Sequence, residues 1–179
     1  QRQMCIRDSQ YTGKADPELL ALGSYFAELL EAVSDEDCPE PEILQLGLNG
    51  LYALASGMFP PEQVKAAFEL RLMCLSGYRP ELEGCAKCGK VDIESGYLVP
   101  AHGELYCEDC PRPDGLPVDR AVIEAMRYIV DAAPKRIFSF RLDDEGIRRL
   151  GQVCEAYALY ELARGFASLD YYKKVRNSK

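Results

Sequence analysis

Two Cys-x-x-Cys pairs, Cys85/Cys88 and Cys107/Cys110, constrain this 179-residue chain more than any other feature, with eighteen residues between Cys88 and Cys107. Two residues between cysteines let one tight turn aim both sulfurs at one point. Two such turns supply four sulfurs in a tetrahedron, which Zn²⁺ accepts without preference from its d-electrons. Gly89 can adopt positive φ just after the first turn. Pro111 takes the corresponding place in the second, so the two knuckles are not equivalent. Around them, Gly84, Gly89, Gly96 and Gly103 punctuate short apolar pieces such as Tyr97-Leu98-Val99, a pattern of tight turns and short strands. The expectation for residues 82–113 is a small β-rich ribbon that buries little apolar surface itself and leans on one structural Zn²⁺ held by Cys85, Cys88, Cys107 and Cys110. An iron–sulfur cluster would use the same four thiolates. A redox dithiol would normally use a single pair. A closed four-sulfur shell leaves no open position for water, which argues against catalytic zinc.

The rest of the composition agrees with reduced thiols. At 47% hydrophobic residues the chain can bury a core without cross-links, unlike the short secreted chains that depend on disulfides. No run of about 18 or more uncharged apolar residues is present, so no membrane span is expected, and the polar, charged start shows no secretory signal. The reading is therefore cytoplasmic. Cys74 and Cys154 fall within helical patterns and are expected as small buried side chains. Residues 1–9 show neither helical nor strand period, and the string Gln3-Met4-Cys5-Ile6-Arg7-Asp8-Ser9 resembles a translated sequencing-adapter remnant. The expectation is a non-native or disordered start over 1–10, a missing native N-terminus and no role for Cys5.

Charge is uneven along the chain. Residues 1–117 hold 9 basic and 20 acidic side chains, whereas 118–179 hold 12 basic and 9 acidic. The acidic first part is unsuited to nucleic acid. The second could meet an acidic partner.

Outside the ribbon, helical periodicity dominates. Asp16 can cap a first helix, with Pro17 in its first turn and Leu19, Leu22, Phe26, Leu29 and Val33 along one side. Ser34–Glu40 is acidic and polar, as in a loop. A second helix follows Pro41 and stops at Gly57. A third opens at Pro60-Pro61, carries Val64, Phe68, Leu70, Leu72, Met73 and Leu75, and ends at Gly77 and Pro80. Helical period returns over Val118–Ala132 until Pro134. Ile137, Phe138 and Phe140 form a short apolar segment. One long helix is then predicted from about Asp143 to Phe166, and the basic residues Lys173, Lys174, Arg176 and Lys179 form a frayed tail. The fold class is thus mainly α: a helical bundle (11–81 and 114–179) with the β-rich zinc ribbon inserted at 82–113.

No catalytic constellation emerges. His102-Gly103-Glu104 ahead of Cys107 mimics the His-x-Glu…Pro-Cys-x-x-Cys string of zinc deaminases. However, only two residues separate Glu104 from Cys107, Tyr106 replaces the proline, and Cys85 and Cys88 would have no role. His102, the only histidine, is expected on an exposed turn. A zinc-ribbon adaptor in transcription or another assembly is one alternative to the reading reached below. A metal hydrolase is the other, and it would need an open site.

The stretch Phe68-Glu69-Leu70-Arg71-Leu72, then Leu75-Ser76-Gly77-Tyr78-Arg79-Pro80-Glu81-Leu82, then Cys85-Ala86-Lys87-Cys88-Gly89 closely resembles the bacterial recombination mediator family RecO. The second knuckle fits as well, and Ala167-Ser168-Leu169-Asp170-Tyr171 looks like that family's closing motif. The resemblance covers about residues 11–175. It implies an N-terminal OB-fold, absent here, followed by a helical domain with an inserted zinc ribbon. It implies a non-enzymatic DNA repair and recombination mediator of the nucleoid that helps load recombinase and anneals single strands. The implied partners are RecR, the acidic, Phe-ending C-terminal tail of single-stranded DNA-binding protein, and DNA, the last mainly through the OB-fold. Such a tail needs an apolar pocket beside a basic side chain. Arg71, Arg148 and Arg149 are chemically suited to it, although for any single one an exposed helix-face charge is the stronger reading. Lys173, Lys174 and Arg176, beside Tyr171 and Tyr172, could contact DNA.

Overall fold

The computed structural model describes residues 16–34 and 40–178. Cys5, Cys38, Lys179, the 1–10 segment and nearly all of the Ser34–Glu40 loop lie outside them.

Local signals set the helix starts. α1 (Pro17–Val33) begins where the Asp16 carboxylate accepts the Glu18 N–H. α2 (Pro41–Ser56) and α3 (Pro61–Leu75) each open on a proline whose missing N–H costs nothing there. Gly57 closes α2 in the left-handed conformation, φ 63°. Three strands follow: β1 (Ser95–Val99), β2 (Glu104–Cys107) and β3 (Leu116–Asp119). They form one antiparallel sheet in the order β2-β1-β3, with Gly96 opposite both Cys107 and Val118. α4 (Arg120–Asp131), α5 (Asp144–Glu161) and α6 (Ala167–Arg176) complete the chain. The molecule is mainly helical with a small ribbon, as expected.

Two expectations need correction. The Val118–Ala132 helix begins only at Arg120, because Leu116–Asp119 pairs with β1. Asp119 then caps α4 by accepting the Val122 N–H at 3.0 Å. The single helix over Asp143–Phe166 is two helices. α5 ends at Glu161, Ala163 turns the chain through positive φ, and α6 starts at Ala167. Phe166 leaves the helical path to bury its ring edge-on against Tyr25, centroids 5.6 Å apart. The predicted frayed tail is accordingly helical to Arg176, with Leu169 and Tyr172 buried against the body.

α3 is the axis of the body. It packs chiefly on α5, with α2 and α4 beside it, while α1 packs on α6. From Gln63 to Leu70 every residue of α3 is buried, so the helix has no solvent side over that stretch. Phe68 stacks face to face on Phe26 at 3.8 Å. Gln63 donates to the carbonyls of Phe138 and Phe140, pinning the apolar segment after Pro134. Lys65 and Glu69 are fully buried and paired at 3.0 Å. Lys65 also meets Glu155 of α5 at 2.9 Å, and Tyr25 of α1 donates to Glu69 at 2.8 Å. Lys173 of α6 reaches the other side of Glu155.

The ribbon depends on close backbone approach. A Cβ at Gly96 would lie 2.1 Å from the Tyr106 carbonyl oxygen, across the β1–β2 pair. Gly96→Ala should therefore separate these strands, read as loss of slowly exchanging amides over 95–107, with α3 and α5 protected as before.

Candidate metal centre and the surfaces around it

The sequence-predicted cysteines converge. The first knuckle is a turn in which the Gly89 N–H donates to the Cys85 carbonyl at 2.8 Å and the Cys85 N–H to the Lys90 carbonyl at 2.9 Å. Gly89 has φ 74°, the conformation its position demands. The second knuckle leaves β2 and turns with the Cys110 N–H on the Cys107 carbonyl at 2.9 Å. An Ala86 N–H to Leu105 carbonyl bond joins the first knuckle to β2. All four sulfurs then lie within 4.8 Å of one another, and Cys88 Sγ is 3.6 Å from Cys107 Sγ. Cys85, Cys107 and Cys110 are buried, while Cys88 is exposed.

This geometry could hold a metal ion. The donor set is four thiols with no carboxylate or imidazole among them, and His102 sits apart on an exposed turn. Burial opposes ionisation of Cys85, yet N–H groups of Cys107, Cys88 and Lys87 directed at its sulfur bring it down to about 6. Burial, followed by the neighbouring thiols, pushes Cys110 up to about 12. A metal must therefore displace protons from this cluster as it binds.

The ribbon is fixed to the body by polar contacts at its margins. Arg127 of α4 donates to the Leu82 carbonyl at 2.7 and 2.9 Å, and Tyr157 of α5 donates to the Tyr78 carbonyl. Gly103, at φ 62°, lies directly under the Tyr157 hydroxyl. Arg120 bridges to Asp92 and Glu94.

The basic residues singled out in the sequence are scattered. Arg71 donates to the carbonyls of Ile129 and Val130, capping the end of α4. Arg148 is held by Glu145. Arg149 is shared between Glu145 and Asp119 at 2.7 Å, on the wall of a groove between β3 and α5. Lys173 pairs with Glu155 and Arg176 with Glu62, while Lys174 is exposed. Of the two tyrosines, Tyr171 is exposed and Tyr172 is buried, donating to Glu62.

Sequence reasoning missed a different feature. Tyr52, Ala53, Met58, Phe59 and Phe138 line a groove of about 380 Å³ between α2, the turn after it and the segment after Pro134, with Lys135, Asn49 and Ser139 also on its walls. Lys135 has no carboxylate partner among the described residues. The only sequence signal was the apolar run Met58-Phe59 next to a turn, which also reads as core.

Fold and site together define a helical-body protein carrying a four-cysteine ribbon. The profile described as "Recombination protein O C terminal" matches residues 14–170, and the chain belongs to that family, RecO. It is similar to the "DNA repair protein RecO" of Acetivibrio thermocellus, 29% identical over 176 residues, covering 97% of this chain and 70% of that protein. It is also similar to the proteins of the same name from Desulforudis audaxviator, 32% identical with 90% and 65% covered, and Dehalococcoides mccartyi, 29% identical with 89% and 63% covered. The chain thus spans about two thirds of the length of these relatives. No helix among the described residues is long and apolar enough to cross a membrane.

Proposed function

We propose that this chain is the partner-binding portion of a non-enzymatic DNA repair and recombination mediator acting at the nucleoid. It helps load recombinase and anneal single strands in concert with RecR, with DNA held mainly by an OB-fold outside this sequence. The family match over residues 14–170 carries this reading. The four cysteines hold structural Zn²⁺ and keep the 82–113 ribbon on the helical body. Arg71, Arg148 and Arg149 serve contact with a partner other than the tail of single-stranded DNA-binding protein, and Lys173, Lys174 and Arg176 on α6 add a weak DNA contact beside exposed Tyr171.

The groove of Tyr52, Phe59 and Phe138 is the place for the acidic, Phe-ending tail of single-stranded DNA-binding protein. Its apolar walls suit a phenyl ring, and Lys135 stands where a terminal carboxylate would need a cation. The reading is tested by titrating a fluorescent tail peptide. The chain should bind it in the micromolar range, and Lys135→Glu should weaken binding by about tenfold or more, ~1.4 kcal/mol. Arg148→Glu should leave it within about twofold. No binding at high micromolar peptide removes tail capture. Loss with Arg148→Glu but not Lys135→Glu moves it to the groove between β3 and α5.

A further inference from the structure

The outer face of the α1–α2 pair has no role in that reading. α1 and α2 run antiparallel and in close contact: a Cβ on Gly23 would touch Leu51, and one on Gly47 would press on Leu30. Ile43, Leu46, Ala53 and Leu54 of α2 face the core. About a third of a turn away, Leu44, Leu48, Leu51 and Ala55 follow one another at four-three-four spacing, the repeat of a helix that packs along another helix. This stripe points to solvent, with Leu44 63%, Leu48 61% and Leu51 45% exposed, and Leu20 of α1, 58% exposed, lies one turn from Gly23. These are all of the strongly exposed leucines among the described residues. Single exposed leucines need no explanation, but a stripe of them does.

Charge selects what can cover the stripe. From Asp16 to Pro60 the sequence has nine acidic residues and no lysine, arginine or histidine. Glu31 of α1 and Glu40, one turn before Leu44 at the start of α2, are exposed. A second copy docking on this face would bring acid against acid. Nucleic acid, an anionic lipid surface and an acidic peptide meet the same repulsion. A helix with one leucine-rich side flanked by lysines or arginines meets complementary surface on both counts.

We propose that the α1–α2 face is a docking surface for a basic amphipathic helix of a partner protein. The site is distinct from the tail groove, which lies on another side of α2 and takes a ligand of opposite charge, so the two fail independently.

The experiment uses the 179-residue chain and a three-heptad leucine–lysine helical peptide at physiological salt. The controls are a scrambled peptide of equal composition and a leucine–glutamate peptide. The amphipathic basic peptide should bind at least about tenfold more tightly than either control. Its presence should shift the amide resonances of Leu44, Leu48 and Leu51. Leu44→Ser/Leu48→Ser should weaken binding by about tenfold with the melting temperature unchanged, and Glu31→Gln/Glu40→Gln should weaken it several-fold and flatten its salt dependence. Equal binding of the scrambled peptide, unmoved α2 resonances or indifference to the leucine substitutions overturns the proposal. So does self-association of the wild type that the leucine variant abolishes, which would make the face an interface between copies.

Discussion

Lys65→Met should destabilise the fold by about 3–5 kcal/mol, the range for removing one partner of a buried ion pair. Lys65 is 0% exposed and, among the described residues, is the only cation on Glu69, which is also 0% exposed. Burial raises the Glu69 carboxyl to about 7 even with Lys65 beside it. Lys65, which burial alone would pull down, is held above its ordinary value by Glu69 and then Glu155. Removing it leaves Glu155 its second cation, Lys173, but leaves Glu69 only the Tyr25 hydroxyl. The defect should depend on pH. The native Glu69 binds its proton more tightly than the unfolded chain, so its contribution is complete at low pH and falls as pH rises from about 4.5 to about 7. Without Lys65 the folded carboxyl titrates higher still, and the window extends upward. Denaturant melts should therefore show a larger gap between wild type and variant at about pH 8 than at about pH 5. Lys65→Met/Glu69→Gln, which removes the charge and keeps an acceptor for Tyr25, should recover more than half of the loss. An equal defect in the double variant would place the cost in packing around residue 65.

That network was not legible in the sequence. Lys65 and Glu69, four apart on a helix, read as an exposed pair of little consequence. The contrary signal is that Val64, Ala66, Ala67, Phe68, Leu70, Leu72 and Met73 surround them, leaving α3 no polar side. Only packing of α1, α2, α4 and α5 shows that this helix is enclosed. Helix starts were legible because caps and prolines act locally: Asp16, Pro41 and Pro61 each stand where a helix opens. β3 was not, because Val118 continues the periodicity of α4 and its strand character comes from Gly96, more than twenty residues away. The break between α5 and α6 was hidden for a similar reason. Ala163 takes the positive φ that glycine usually signals, and Phe166 at the N-cap of α6 is no capping residue. The four cysteines were legible because two-residue spacing is itself geometry, whereas the Tyr52–Phe138 groove joins segments that only the fold brings together.

Metal removal should open the ribbon and loosen the start of α4 while α3 and α5 hold. The buried apolar residues of the ribbon and β3 are few: Leu82, Ile93, Leu98, Val99, Leu105, Tyr106 and Val118. Four thiol groups within 4.8 Å, with no ion between them, give little cohesion of their own. Structural zinc contributes about 10–16 kcal/mol of apparent binding energy in zinc-finger peptides, so this site can dominate the stability of so small a module. The effect should not stop at Val118. Asp119 pairs across from Ser95, caps α4 through Val122 and receives Arg149 from α5, so the sheet and the first turn of α4 share one residue. Cys85→Ser and Cys107→Ser should each reduce bound zinc from one ion per chain to near none. Amide exchange should accelerate over 85–122, while Phe68, Leu70 and Leu150 stay protected by the packing of α3 on α5. Cys154→Ser, at a buried thiol outside the cluster, should retain the ion. Zinc loss with unchanged exchange would show the ribbon standing on its own packing. Accelerated exchange throughout α3 and α5 would show that the metal supports the helical body itself, through Arg127, Tyr157 and Arg149, which tie the ribbon and its last strand to that body.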